Sequence, residues 1–237
     1  MSRKWFVVLA LCSAHTAFAQ KTDFNVTVGA RAWYTEWTTF SYLVDPDTEE
    51  NLALTQNSAN EQLAVIPVIS ARYGKFMASI SGIPSTNFSF NDGTKGSREE
   101  FDINVGYFVM RGVAVTLGYK KVEQSGGTLR YRPSGPVLGV NAIAPIQGSW
   151  SLYGNLAIGD LKTPSGDVVD FAMAYRLAEV GLAYTLEGKS KPKHWTFIAG
   201  YRMQVMNSKD AFVTLTDTAQ DGLDTTQGFS LGVLATF

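Results

Sequence analysis

Charged side chains occur in the middle of segments that otherwise alternate between apolar and polar residues. Such alternation is typical of a β-strand, whose successive side chains point to opposite faces. The charges lie on the polar faces of their segments, at Arg31, Asp102, Lys120, Glu179 and Arg202. A barrel in a membrane directs mid-height charges into its lumen, because its lipid face tolerates few of them. We therefore predict a charged layer inside a barrel, made of these five residues.

Hairpin geometry predicts two pairs within this layer. Residues equidistant from the turn of an antiparallel hairpin lie opposite each other. A turn at Met110-Arg111 places Asp102 opposite Lys120, and a turn at 188–193 places Glu179 opposite Arg202, whereas Arg31 has no assigned partner. The layer could line a narrow polar path or form an ion-paired plug. We favour the plug, because small barrels are mostly filled by their own side chains.

Hydrolysis at the rim of a barrel would need a base beside a nucleophile or an activated water. The one histidine after the N-terminal leader, His194, follows Lys189, Lys191 and Lys193 in a short connection, away from the long loops. A histidine-based site among the long loops is therefore disfavoured, and we assign no catalytic residue. A carboxylate mechanism stays open. The three lysines could meet an acidic periplasmic partner, although lysines on a turn more often only keep it solvated.

Acidic residues are concentrated in the predicted long loops, including Asp217, Asp221 and Asp224 in the last one. Divalent cations could bridge these three residues to other loops or to lipopolysaccharide phosphates. Their spacing matches no calcium-binding loop, so solvated loop charge is the favoured interpretation. We assign no metal and no cofactor.

The elements that must position these residues are ten segments of alternating pattern. Short and long connections follow one another between them, as in outer-membrane barrels, and an even number closes an antiparallel barrel. Pro67 in the second segment, and Pro136 and Pro145 around the sixth, weaken those two strands, so eight strands are the fallback. The segments are 24–42, 61–73, 75–90, 98–109, 112–123, 136–146, 149–161, 171–186, 194–207 and 226–237.

Composition and the N-terminus agree with an exported protein. At 45% hydrophobic and 17% charged residues the 237-residue chain is not disordered, and it has no second long apolar run for a helical membrane protein. Basic residues, a short apolar run and Ala17-Phe18-Ala19 predict a cleaved signal peptide over 1–19, followed by one barrel domain over 20–237. Leu11 before Cys12 disfavours a lipoprotein. No basic stripe indicates nucleic-acid binding.

The segments Val105-Gly106-Tyr107-Phe108-Val109 and Val115-Thr116-Leu117-Gly118-Tyr119, together with Gly200-Tyr201-Arg202 and the terminal Phe237, carry a family resemblance. The chain resembles the small outer-membrane β-barrel superfamily that includes opacity-like proteins. The resemblance implies an all-β, transmembrane, antiparallel up-and-down barrel in the outer membrane of a Gram-negative bacterium. It also implies contact with outer-membrane lipids and lipopolysaccharide, and recognition of the last strand and Phe237 by the barrel-assembly machinery.

We expect a non-enzymatic role in envelope structure, envelope integrity or surface interaction, with a narrow or plugged lumen. One alternative is a narrow channel for small polar solutes. A second is an outer-rim hydrolase acting on lipid or peptide. A soluble β-sandwich is disfavoured, because its outer faces would need polar residues where these strands carry apolar ones.

Overall fold

The computed structural model describes residues 24–44, 51–126, 129–164, 172–208 and 220–237. Its regular elements are all β-strands: β1 (Phe24–Val44), β2 (Asn51–Ser58), β3 (Gln62–Tyr73), β4 (Phe76–Ser89), β5 (Lys95–Met110), β6 (Val113–Gly126), β7 (Leu129–Tyr131), β8 (Ser134–Gln147), β9 (Trp150–Lys162), β10 (Ala172–Glu187), β11 (His194–Ser208) and β12 (Gln220–Thr236). The predicted leader lies outside the described residues. Among the described residues, no helix is long and apolar enough to cross a membrane.

The strands form one closed antiparallel barrel. Neighbours along the chain pair with each other, and β12 pairs with β1 to close the ring. Strands β2 and β3 both pair with β1 and together make one interrupted barrel strand. The short β7 pairs with β6 just above the place where β8 takes over, so these two also share one position. The predicted ten-stranded up-and-down barrel is therefore confirmed.

The two ends of the barrel differ in their connections. We call the end with connections at 74–75, 111–112, 148–149 and 188–193 the short-turn end, and the opposite end the long-loop end. Gly74 and Gly112 adopt φ values of 57° and 80°, the left-handed conformation that such tight turns require. At the long-loop end, the gaps between the predicted segments 24–42 and 61–73, and between 194–207 and 226–237, are longer than the connections in the structure. Paired strand continues into these gaps, because β2 lies against β1 and β12 begins at Gln220.

The prolines lie where pairing is interrupted and do not reduce the number of strands. The ladder between β3 and β4 joins Val68–Tyr73 to Phe76–Ser81. Pro67 follows its upper end directly, Pro84 lies three residues beyond Ser81, and contact resumes at the Ala59–Phe90 bridge. Proline cannot donate a backbone hydrogen bond, so it is tolerated where the ladder is open. Buried Trp33 and its apolar neighbours pack behind this seam.

The outer surface of the barrel is apolar. Side chains such as Leu63, Ile103, Leu156, Val180 and Leu231 are each between 43% and 64% exposed on it. A continuous apolar surface of this kind does not stay in water and indicates a lipid environment. Phe88 and Phe90, at the long-loop end of the β4 hairpin, are buried inside the barrel against Trp37. The first outward charges towards the long-loop end, which mark the upper edge of the apolar band, are Glu36, Glu99, Lys121, Asp160 and Arg176.

Candidate functional site

All five residues of the predicted charged layer lie on the inner face of the barrel. Asp102 pairs with Lys120 across β5 and β6, and Glu179 pairs with Arg202 across β10 and β11. Arg31, which hairpin geometry leaves without a partner, reaches across the lumen from β1 to Glu179 on β10. The five side chains therefore lie at a similar height along the barrel, just below the upper edge of the apolar band.

Glu179 is the centre of one half of this layer. Its side chain is buried, and its Oε1 accepts hydrogen bonds from Arg31 Nη1 at 2.6 Å and from the Tyr153 hydroxyl at 2.9 Å. Its Oε2 accepts from Arg202 Nη1 at 3.1 Å. The Arg202 guanidinium also lies 5.3 Å from the ring of Trp33. One buried carboxylate therefore holds two guanidinium groups from two different strands, β1 and β11.

Tyr153 reaches Glu179 because two glycines on neighbouring strands leave room for it. Gly181 and Gly200 face each other across β10 and β11. A Cβ atom on Gly200 would lie 2.4 Å from the Tyr153 hydroxyl oxygen, and one on Gly181 would lie 2.7 Å from the Tyr153 ring. Both distances are shorter than van der Waals contact. The glycine pair therefore positions the tyrosine against the carboxylate.

Glu100, which is not among the five residues of the predicted layer, is the centre of the other half. Its Oε1 accepts from Arg98 Nε at 2.7 Å, and its Oε2 accepts from Lys120 Nζ at 2.6 Å. Lys120 also donates to both oxygens of Asp102 at 3.1 Å. Gln204 closes the cluster, accepting from Arg98 Nη2 at 2.9 Å and donating to Glu100 Oε2 at 3.2 Å.

We call the ion-paired residues of both halves the charged network: Arg31, Arg98, Glu100, Asp102, Lys120, Glu179 and Arg202. It contains four cations and three carboxylates, and Lys120 is 0% exposed. Buried charges are costly unless they are paired and hydrogen-bonded, and here every carboxylate contacts at least one cation. Alternation from Asp102 places Arg98 and Glu100 on the same face, so the sequence contained the signal for them.

The predicted cation site in the last loop is not a loop site. Asp224 lies within β12, and its carboxylate points into the barrel, where it is buried. It accepts hydrogen bonds from Thr39 at 2.8 Å, from Gln124 at 3.2 Å and from Tyr131 at 3.1 Å. Asp221 lies in the same strand, and Asp217 lies outside the described residues. Among the described residues, no group of three histidine, cysteine or acidic side chains could hold a metal ion.

Apolar side chains fill the lumen on the long-loop side of the charged network. One cluster joins Leu161, Met173 and Met206 to the ring of Tyr175. In a second cluster, Trp37 contacts Phe88 and Phe90 edge-on, with ring centroids 5.4 Å and 5.1 Å apart. Lys120 and Arg98 lie over the rings of Tyr175 and Trp37, at 5.1 Å and 6.0 Å from the centroids. The network and these clusters together form a plug.

The other half of the lumen contains a cavity of about 420 Å³. Arg31, Asp102 and Arg202 of the charged network contribute to its upper wall, and it extends to Gly112 in a short turn. The plug closes it above, so it opens at the short-turn end. We call it the short-turn cavity.

The histidine that could serve as a catalytic base, and the lysines next to it, lie at the short-turn end. His194 begins β11 and pairs with Glu187, and Lys193 donates a hydrogen bond to Asn25. His194 is therefore far from the long loops.

One exposed carboxylate at the long-loop end, that of Asp92, accepts several hydrogen bonds. Asp92 accepts hydrogen bonds from the backbone and hydroxyl groups of Thr94 and from Asn57. These bonds, first those from Thr94, hold the pKa of Asp92 below its usual value.

No family model and no curated protein matches the chain. Among solved structures, it is similar to the outer membrane protease OmpT from Escherichia coli, with 10% identity, a TM-score of 0.62 and coverage of 92% of this chain and 99% of that one. The outer membrane protein OprG from Pseudomonas aeruginosa has 10% identity and a TM-score of 0.39, covering 92% and 97% of the two chains. A FadL homologue from Pseudomonas aeruginosa has 10% identity and a TM-score of 0.35, covering 90% and 89%. At such identity the likeness to OmpT shows the fold alone, a closed β-barrel.

Proposed function

We propose that the protein is a closed, non-enzymatic barrel of the outer membrane of a Gram-negative bacterium, with a structural, envelope-integrity or surface-interaction role. The observation that carries this proposal is the plug. The Arg31–Glu179 ion pair joins β1 to β10, and the buried hydrogen bond from Arg98 to Gln204 joins β5 to β11 across the lumen. Apolar clusters lie above them. An open aqueous pathway would require several of these contacts to break together.

Passive passage of small polar solutes is the second candidate, and the short-turn cavity favours it. This cavity already occupies the lower half of the lumen, so only the plug separates the two ends. No feature of the described residues favours the outer-rim hydrolase. The lipid, lipopolysaccharide and assembly-machinery contacts expected from the sequence belong to the same proposal.

Single-channel recording in planar bilayers tests the closed barrel. We expect no steady conductance from the purified protein, and none from Arg202→Ala, because Trp33, Tyr175 and the Glu100 half of the network still fill the lumen. An open porin in the same bilayer shows that the assay detects channels, and heat-modifiable gel mobility shows that each sample is folded. Steady wild-type conductance that changes in Arg202→Ala would replace the closed barrel with the transport function.

A further inference from the structure

We propose that the short-turn cavity binds a small organic anion, with a carboxylate or phosphate head and a short apolar chain, that enters from the periplasm. Its volume of about 420 Å³ is in the range of small-molecule sites. Three features support this assignment: an excess of positive charge at the upper wall, a lining that offers both polar and apolar contacts, and a basic mouth.

The excess charge lies at Arg31 and Arg202. In the Glu100 half of the network, two cations face two carboxylates, whereas in the other half two guanidinium groups share Glu179 alone. The Nε atoms of Arg31 and Arg202 are buried without a hydrogen-bond partner among the described residues. Their side chains retain 21% and 10% exposure, and both line the cavity. Guanidinium groups bind carboxylates and phosphates well, so this wall suits an anionic head.

The remaining lining offers both polar and apolar contacts, which an anionic head with a short apolar chain requires. Strands β3, β4 and β5 contribute Ser70, Ser79, Ser81 and Asn104, which offer hydroxyl and amide groups. Strands β10, β11 and β12 lie on the other side of the ring and contribute Leu177, Ala183, Ile198 and Leu234. Val68 and Phe108 also line the first side, so a short alkyl chain below the head would have apolar contacts on both sides.

The mouth of the cavity is positively charged. The guanidinium of Arg72 lies 4.1 Å from the ring of Phe108, which lines the cavity. The described residues at the short-turn end otherwise contribute one acidic side chain, Glu187, against the basic side chains Lys75, Arg111, Lys189, Lys191 and Lys193. Charge of one sign around a cleft raises the local concentration of ions of the opposite sign. Small anions are therefore drawn towards the cavity.

The test is calorimetric titration of the barrel in lipid nanodiscs with hexanoate, hexyl phosphate and 1-hexanol. We expect one anion per barrel, bound about tenfold or more tightly than hexanol, because a hydrogen bond to a charged group accounts for that ratio. The two anion arms distinguish a carboxylate from a phosphate head. Equal binding of hexanol would overturn the assignment of an anion site.

Matched variants separate the cavity from the surrounding lipid. Ser79→Phe fills the cavity without touching the charged network, whereas Ile80→Phe adds the same ring on the lipid side of β4. We expect Ser79→Phe to abolish saturable binding and Ile80→Phe to keep it. Retention of binding in Ser79→Phe would contradict the proposal. If Ser79→Phe does not fold, Ala183→Phe fills the opposite wall, with Leu182→Phe as its lipid-facing control.

Discussion

Removing the carboxylate of Glu179 should destabilise the barrel more than removing either of its cations. In Glu179→Gln, Arg31 and Arg202 remain in the lumen without their shared anion, and their like charges face each other. In Arg202→Gln, by contrast, Glu179 keeps the 2.6 Å bond from Arg31 and the bond from Tyr153. The effect therefore depends on which partner is removed, although both variants break the same ion pair.

The magnitude follows from the burial of the group. Breaking a buried pair by removal of one partner costs about 3–5 kcal/mol. Because Arg31 keeps 21% of its side chain exposed to the cavity, we expect Glu179→Gln near the lower end, at about 3 kcal/mol. Arg202→Gln leaves a carboxylate that is still paired, and should cost about 1–2 kcal/mol, the usual range for a hydrogen bond to a charged group. The two substitutions combined should cost less than their sum, by about 1 kcal/mol or more.

The assay is equilibrium unfolding in guanidinium chloride, with the protein in liposomes and with coincident folding and unfolding curves. Val180→Ala changes the adjacent lipid-facing position of β10 and controls for substitution in this strand as such. Equal losses for the two single variants, or strictly additive losses in the double variant, would refute Glu179 as the shared centre of Arg31 and Arg202.

Three further predictions concern the closed ring, the glycine pair and the long-loop turn. The folded barrel should migrate faster in SDS gels before boiling than after it, since every spanning strand is paired on both sides, and identical mobility would contradict closure. Gly200→Ala should displace Tyr153 and cost about 1–3 kcal/mol in the unfolding assay, as overpacking does, whereas lipid-facing Ala199→Val should cost little. Asp92 should titrate below free aspartate in carbon-detected NMR. Its hydrogen bonds therefore stabilise the turn fully above the usual aspartate pKa, and this stabilisation is lost as the pH falls through the lowered pKa of the folded state. Thr94→Ala should raise the pKa of Asp92, and an unchanged value would contradict the assignment.

The sequence predicts the barrel well because alternation and turns are local signals. Each strand shows its own two faces, and glycines such as Gly74 and Gly112 mark the tight turns between them. Register within a hairpin follows from the turn, which is why Asp102 meets Lys120 and Glu179 meets Arg202. The lengths of the strands towards the long-loop end are less predictable, because paired strand continues there after the hydrophobic alternation has stopped.

Alternation and hairpin register do not predict contacts across the lumen. Arg31 and Glu179 lie on β1 and β10, which are not neighbours, so no turn fixes their relative position. The same holds for Arg98 on β5 and Gln204 on β11. Only the closure of the ring and its diameter determine which inward side chains meet. Arg98 and Glu100 were missed for a different reason, since they lie at the start of the fourth predicted segment and the prediction used only charges in the middle of segments.

The position of the charged network explains why the lumen is filled on the long-loop side and contains a cavity on the short-turn side. Aromatic rings and long side chains fill the lumen on the long-loop side, and Trp33, Trp37 and Tyr175 pack directly against its cations. On the short-turn side several inward residues are small, such as Ser70, Ser79 and Ala183, and the same ring encloses a cavity there. The Glu100 half balances its own charges, and the unbalanced half borders the cavity. A ligand that neutralises Arg31 and Arg202 would therefore stabilise the plug, and hexanoate should raise the unfolding midpoint of the wild type but not that of Ser79→Phe.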